Sequence, residues 1–221
     1  MSKVKFFALG GLGEDGKNMY VVEVDNVLFI LDAGLKYPTQ ELYGVDSIIP
    51  DLTYLETNKK IAGLFLSHGH EDHIGAVQKL LSIVNPPIYA SKFTLELLKN
   101  QLNQTDININ KLNLIEVNSK KTIPFGNVTV DFYRVTHSIP ESLGISINTP
   151  DGSFVYSPDY SFNQSVSKHY KTEYSKLSQI ASKNVIALFT ESLGADVKTK
   201  VTSTQLDYAL NQAFLEAKGR I

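Results

Sequence analysis

The sequence contains no cysteine. Disulfide bonds and thiolate metal sites are therefore excluded, and the absence fits a reducing compartment. Long apolar runs are also lacking: the stretch 6–9 is too short for the hydrophobic part of a signal peptide, and nothing approaches the length of a membrane span. Neither charge dominates, with 21 Lys and Arg against 23 Asp and Glu. This balance excludes a strongly basic nucleic-acid coat, and we expect a cytoplasmic protein without a membrane partner.

What remains is an ordinary globular composition. The 221 residues are 43% hydrophobic and 20% charged, which is typical of a soluble domain. A chain of this length can bury a full core in one large domain.

Runs of β-branched and aromatic residues alternate with helical patterns along the chain. Strands are predicted over 3–9, 19–25, 27–31, 61–66, 88–90, 112–117, 128–135, 143–148, 153–157 and 185–189. Helices are predicted over 52–56, 74–83, 91–102, 172–182 and 203–217. The segments 61–66 and 185–189 read as buried strands, and Asp25-Asn26 as a tight hairpin turn. This order predicts two sheet layers flanked by helices.

Residues 11–16 match the dinucleotide-binding pattern G-x-G-x-x-G. That function requires a helix directly after the glycines, so that its N-terminus faces the pyrophosphate. A β-rich segment follows here instead. We therefore interpret the glycines as a turn between two strands.

The segment 67–73 is the most informative part of the sequence, because it holds three of the five histidines and Asp72. It follows a predicted buried strand, and active sites favour that edge of a sheet. Imidazole and carboxylate ligands suit zinc, manganese or iron. His68 and His70 can face one ion, whereas Asp72 and His73 point towards a second ion about 3.5–4 Å away. The alternative is a solvent-exposed turn that is merely rich in histidine.

Two ions need further ligands, and two later strand ends offer them. His137 follows one β run, and Asp159, whose carboxylate can bridge two ions, follows another. Considered alone, the histidine would be structural and the aspartate a turn residue. His169 lies in a polar stretch and is expected to be exposed and inert.

These motifs resemble the metallo-β-lactamase fold, and within it the bacterial ribonuclease J family. The segments that carry the resemblance are 10–14, 17–20, 32–34, 49–51, 67–75 and 136–140, so it covers nearly the whole chain. It implies an α/β fold, an αββα sandwich of two mixed β-sheets flanked by helices. It also implies RNA hydrolysis in RNA maturation and decay, by a 5′→3′ exonuclease with some endonuclease activity.

The resemblance also implies roles for single residues around two Zn²⁺ or Mn²⁺ ions. His68, His70 and His137 would hold the first ion, and Asp72 and His73 the second. Asp159 would bridge the two, and with Asp72 it would serve catalysis. Asp32 is similar to a buried aspartate that supports the histidine loop; without the resemblance it would be a strand-end turn residue.

The sequence departs from the family at three places, one of which is Asp15, where the family usually has isoleucine. Ser161 and Asn163 stand where the family has lysine and aspartate, and 191–194 differs from the usual Asp-Ser-Thr-Asn. These changes resemble a second, weaker ribonuclease J paralogue. They leave open a partner subunit that supports an active paralogue. A thioesterase or lactonase of the same fold is permitted by the histidines but disfavoured by the extended match.

The resemblance finally implies a domain plan. Residues 1–200 would form an incomplete metallo-β-lactamase domain, and 201–221 would begin an inserted β-CASP domain. We expect an N-terminal fragment with poor activity of its own, since the family supplies another metal-binding histidine from later in the chain. The expected partners are RNA, the paralogue and a second copy of the protein, the last two bound through later regions.

Overall fold

The computed structural model describes residues 2–39, 42–56, 59–162, 167–198 and 202–220. The chain divides into two compact units, residues 1–191 and 192–221. The second unit contains the helix α5 (Ser203–Glu216), which begins with a capping box between Thr202 and Gln205. Within the described part of the chain, no helix combines the length and the apolar character needed to cross a membrane.

The first sheet carries the N-terminal half of the larger unit. Its strands lie in the order β1 (Val4–Gly10), β2 (Met19–Val24), β3 (Val27–Leu31), β4 (Lys60–Phe65), β5 (Ile88–Ala90) and β6 (Leu114–Glu116). The first three strands pair antiparallel, and β3 to β6 pair parallel. Parallel pairing places the carboxyl ends of β3 and β4 at one edge of the sheet, where the histidine segment begins.

The second sheet has five strands in the order β11-β10-β9-β8-β7. They are β7 (Thr122–Phe125), β8 (Val128–Arg134), β9 (Leu143–Thr149), β10 (Gly152–Ser157) and β11 (Val185–Thr190). The pairing is antiparallel except between β10 and β11, which are parallel. Both sheets are therefore mixed.

Apolar side chains form the layers between these elements. Large residues from both sheets, among them Phe29, Phe65, Phe132 and Ile145, pack face to face in one cluster. The opposite face of the first sheet packs against α1 (Glu71–Ile74), α2 (Val77–Leu81) and α3 (Lys92–Leu102). The outer face of the second sheet packs against α4 (Tyr174–Ala181). The predicted αββα sandwich is confirmed.

Several local predictions are also confirmed. Asp25 and Asn26 have φ of 49° and 67°, as a hairpin turn of the type predicted between β2 and β3 requires. Ser91 accepts a hydrogen bond from the Thr94 N–H as the N-cap of α3. The segment after the glycine-rich turn is the strand β2 and not a helix, so the dinucleotide interpretation is excluded.

Two predictions about single elements are wrong, and one strand was not predicted. The helix predicted over 74–83 is interrupted at residues 75–76, between the end of α1 and the start of α2. The strand over 185–189 forms, but Ile186 and Leu188 are 49% and 60% exposed, because β11 lies at the edge of its sheet. The edge strand β7 was not predicted, because Pro124 weakens its β pattern; proline is tolerated at a sheet edge.

Glu23 on β2 is a buried carboxylate held by three donors. Lys59 Nζ and Tyr54 Oη each lie 2.8 Å from it, and Lys5 Nζ lies 3.3 Å away. These contacts, first the hydrogen bond from Lys59, lower the pKa of Glu23 to about 2. Because its folded-state pKa is depressed, the stability it contributes is complete above the unfolded value of about 4.5 and is lost as the pH falls towards about 2.

We expect Glu23→Gln to lower the free energy of unfolding by about 1–3 kcal/mol at neutral pH. The difference from the native protein should narrow as the pH falls from about 4.5 to about 2. Urea unfolding at several pH values measures both effects. Glu96→Gln is the matched control, since this exposed carboxylate also pairs with a lysine, Lys99, at 2.7 Å. A constant difference across the pH range would contradict the assignment.

Candidate metal centre

The site lies where β3 and β4 end. Asp32 directly follows β3, with a φ of 59°, a left-handed conformation that aspartate tolerates better than most residues. Ser67 and His68 follow β4 and are completely buried. Helix α1 then begins at Glu71, so both parallel strands deliver polar groups to the same edge.

Backbone hydrogen bonds from distant segments hold the histidine turn. The carbonyls of Glu71, Asp72 and His73 accept the N–H groups of Leu35, Asn18 and Ala33, at 3.0, 2.9 and 2.8 Å respectively. The Asp72 and His73 carbonyls are thereby diverted from the next helical turn, whereas the Glu71 carbonyl also accepts the Gly75 N–H at 2.7 Å, and the predicted helix is interrupted at residues 75–76.

Gly34 is required for this docking. A Cβ atom there would lie 1.6 Å from the carbonyl oxygen of Asp72. The glycine of the Asp32-Ala33-Gly34 segment thus permits the close approach of the histidine turn.

Four side chains from three segments converge on one point. His70 Nδ1 lies 3.0 Å from both His68 Nε2 and His137 Nε2. Asp159 Oδ2 lies 3.8 Å from His68 Nε2 and 3.5 Å from His137 Nε2. One ligand atom from each of the four lies within 4.8 Å of the others.

This donor set fits a divalent metal ion. Zinc–nitrogen bonds of about 2.0–2.1 Å in a tetrahedron separate the ligand atoms by about 3.3 Å, and the observed separations bracket that value. His68 also contacts Ser67 Oγ through Nδ1, at 3.0 Å. The nitrogen that faces the other ligands is therefore the free one, as metal-binding histidines require.

A second group shares Asp159 with the first. His73 Nε2 lies 3.4 Å from Asp72 Oδ2 and 3.6 Å from Asp159 Oδ1. The two oxygens of Asp159 thus face different groups, the arrangement of a bridging carboxylate. The structure brings together all six residues predicted as metal ligands, in two groups of three or more with metal-binding capacity.

Asp32 lies beneath the histidines and accepts four hydrogen bonds. Its Oδ1 accepts the Ser67 N–H at 2.7 Å. Its Oδ2 lies 2.8 Å from Ser67 Oγ, His73 Nδ1 and Tyr156 Oη alike. A carboxylate at Nδ1 fixes the ring of His73 with Nε2 directed to the second group. Asp32 therefore touches the histidine loop and not the ligand atoms.

Burial and nearby charges shift the pKa values of the site residues in opposite directions. Burial raises the pKa of Asp72 and Asp159, but hydrogen bonds to His73 outweigh it, so both carboxyls titrate below their usual range. Burial lowers the pKa of His68 and His137, which are therefore neutral with free lone pairs. Burial also opposes protonation of His73, but Asp32 and the other carboxylates raise its pKa well above normal. A cation at His73 therefore competes with a proton.

Three contributors to the site were not assigned a role from the sequence. Asn18 Nδ2 donates to Asp72 Oδ2 at 3.3 Å and lies 3.2 Å from His73 Nε2. Tyr156 reaches Asp32 from the second sheet, and Glu191 Oε1 accepts the N–H of Tyr160, next to Asp159, at 2.6 Å. All three are far from the histidines in sequence: Asn18 precedes β2, Tyr156 lies on β10 and Glu191 follows β11. The family comparison covered segments 17–20 and 191–194 but assigned neither Asn18 nor Glu191 a role.

Two lysines of the N-terminal region pair with one carboxylate. Lys17 and Lys36 both pair with Glu14, at 2.7 and 3.6 Å. Asn163 and the side chain of His169 lie outside the described residues.

Comparison with known proteins adds a family to this geometry. A family model described as a beta-lactamase superfamily domain matches residues 29–176. This range contains Asp32, the histidine turn, His137 and Asp159. A crystal structure of a protein of unknown function from Enterococcus faecalis superposes with a TM-score of 0.69 over 99% of this chain and 59% of its own, at 17% identity. At that identity the likeness shows the fold alone.

Relatives of higher identity share one description. The chain is 41% identical over 220 residues to "Ribonuclease J 2" of Staphylococcus saprophyticus, covering 99% of this chain and 39% of the relative. It is 41% identical over 223 residues to "Ribonuclease J 2" of Streptococcus pyogenes, covering 100% of this chain and 40% of the relative. These matches confirm the predicted resemblance, and the chain spans about two fifths of the length of these relatives.

Proposed function

The chain belongs to the beta-lactamase superfamily, and from this premise we propose that it is a metal-dependent ribonuclease. One observation carries the proposal: two groups of histidine and aspartate side chains share the carboxylate of Asp159. The relatives described as "Ribonuclease J 2" support RNA as the substrate. The reaction proposed is hydrolysis of phosphodiesters, as a 5′→3′ exonuclease with some endonuclease activity in RNA maturation and decay.

The proposed centre holds two divalent ions, Zn²⁺ or Mn²⁺. His68, His70 and His137 would hold one, and Asp72 and His73 the other, with Asp159 between them. Bound there, such ions would act as Lewis acids towards the phosphodiester and would lower the pKa of water towards neutral pH.

The chain's own residues prepare the site for this chemistry. Asp32 orients His73 through Nδ1, and the Asn18 amide orients Asp72 at 3.3 Å. Because Asp72 and Asp159 keep low pKa values, they carry negative charge at neutral pH and hold cations in place. The side chains of His70 and His137 are half-buried, so the centre is not sealed from solvent.

A cleavage assay with RNA labelled at the 5′ end or internally tests this proposal. We expect cleavage that needs Mn²⁺ or Zn²⁺, stops with a chelator and releases mononucleotides from the 5′ end. Cleavage that is unaffected by chelator would overturn the metal-dependent mechanism.

A second candidate function is favoured by the changes near Asp159. The sequence departs from the ribonuclease J pattern at Ser161, Asn163 and residues 191–194. These changes suit a weakly active or inactive subunit that binds and supports a catalytic paralogue. The two would form hetero-oligomers in the cytoplasm, and the subunit would also form homo-oligomers. Assays of the protein alone and mixed with a ribonuclease J paralogue distinguish the two functions. Activity that arises only in the mixture, and survives alanine at His68 and His70, would favour the partner role.

A further inference from the structure

Tyr156 connects the two sheets beneath the candidate metal centre. It lies on β10 of the second sheet, and its hydroxyl donates to Oδ2 of Asp32, which follows β3 of the first sheet, at 2.8 Å. The residues are 124 positions apart in the sequence. The ring is buried and packs against Tyr20, with 5.6 Å between ring centroids, so the hydroxyl has a fixed direction.

This contact links the segment that carries Asp159 to Asp32, which in turn contacts the histidine turn of the second group. Asp32 Oδ2 also contacts His73 Nδ1 at 2.8 Å. Three residues after Tyr156, the same segment delivers Asp159, whose Oδ1 lies 3.6 Å from His73 Nε2. A chain of contacts through the Tyr156 hydroxyl and the Asp32 carboxylate therefore restrains the distance between His73 and Asp159.

We propose that Tyr156 is a positioning residue that acts through Asp32 to set the geometry of His73 and Asp159, and with it the affinity of the second metal ion. The inference rests on the proposed two-ion centre. The first group depends less directly on Asp32, because His68 reaches it only through Ser67 Oγ and His70 and His137 contact each other. Loss of the Tyr156 hydroxyl should therefore weaken the second ion more than the first.

Tyr156→Phe tests this selectivity, since it removes the hydroxyl and keeps the ring. Calorimetric titration of the metal-free 221-residue chain with Zn²⁺ alone should give two binding events for the native protein. In Y156F we expect the second event to be about 10-fold weaker, the lower end of the cost of losing a direct partner of a metal ligand, because Tyr156 acts one contact further away, through Asp32. The first event should stay within about twofold of the native value.

Tyr133→Phe is the matched control. Tyr133 is a buried tyrosine of the same sheet, and its hydroxyl lies 3.4 Å from the carbonyl oxygen of Tyr156. Among the described contacts, this hydroxyl makes no hydrogen bond to Asp32. Y133F should leave both events unchanged. Equal weakening of both events in Y156F, accompanied by a lower melting temperature, would assign the hydroxyl to the sandwich alone and overturn the proposal.

The remaining outcomes separate this inference from the proposed function. If Y156F binds both ions like the native protein, the positioning role is overturned while the two-ion centre stands. If Y156F fails to fold, the hydroxyl serves the fold and the proposal is likewise overturned. If the native protein itself binds fewer than two Zn²⁺ ions, the proposed centre fails first.

Discussion

Replacing Asp72 and His73 together by alanine is expected to reduce RNA cleavage to the level of a reaction without protein. The pair supplies two of the three ligand side chains of the second group, and Asp159 alone would remain. The first group keeps its three histidines, so metal content should fall from about two ions per chain to about one. Cleavage assays and elemental analysis of the same preparations measure the two effects.

Glu71→Ala is the matched control for this variant. Glu71 begins the same helix, one residue before Asp72, and its carboxylate contacts the hydroxyl of Tyr37 and no ligand atom among the described contacts. Its cleavage rate and metal content should remain those of the native protein. Undiminished cleavage by the double variant would remove Asp72 and His73 from the proposed mechanism.

Asp32→Asn is expected to have the largest effect on stability. The fully buried carboxylate accepts four hydrogen bonds, and an amide NH₂ group would instead face several donors. Breaking such a buried charged network costs about 3–5 kcal/mol. For a chain of this size, that lowers the melting temperature by roughly 6–20 °C. Thermal unfolding followed by circular dichroism measures the change.

Asp25→Asn is the matched control. It tests whether the loss of stability at Asp32 comes from the hydrogen-bond network or from the left-handed backbone conformation. Asp25 also has a positive φ, 49°, but its carboxylate is exposed and accepts only the Lys3 N–H, at 2.8 Å, among the described contacts. Asparagine tolerates this conformation as well as aspartate does. The control should lose less than about 0.5 kcal/mol. A similar small loss for Asp32→Asn would show that the buried network does not stabilise the protein.

Short-range patterns predicted much of this fold. The turn at Asp25-Asn26 depends on two residues that tolerate positive φ, and the N-cap at Ser91 depends on a neighbour three positions away. The dense histidine segment likewise predicted a candidate metal site, because few other roles require so many imidazoles in one turn, and the structure brings its side chains together. Such features are local, so a single sequence contains them.

Features that depend on distant contacts could not be predicted. The break between α1 and α2 arises because the N–H groups of Asn18 and Ala33 donate to carbonyls of α1. Apart from one glycine, the sequence near residue 75 contains no sign of these distant donors. The exposure of Ile186 and Leu188 depends on the place of β11 at a sheet edge, which an apolar run does not encode. Tyr156 reads as an ordinary strand residue until the two sheets are packed together.

The metal content of the purified chain tests the central claim most directly. The protein should be prepared without chelator or metal-affinity resin and analysed by elemental mass spectrometry. Two groups of ligands that share Asp159 predict about two divalent ions per chain. A value near one would restrict binding to a single group and contradict a two-ion centre. A value near zero would contradict metal binding altogether and favour the second candidate function, a subunit that supports a catalytic paralogue.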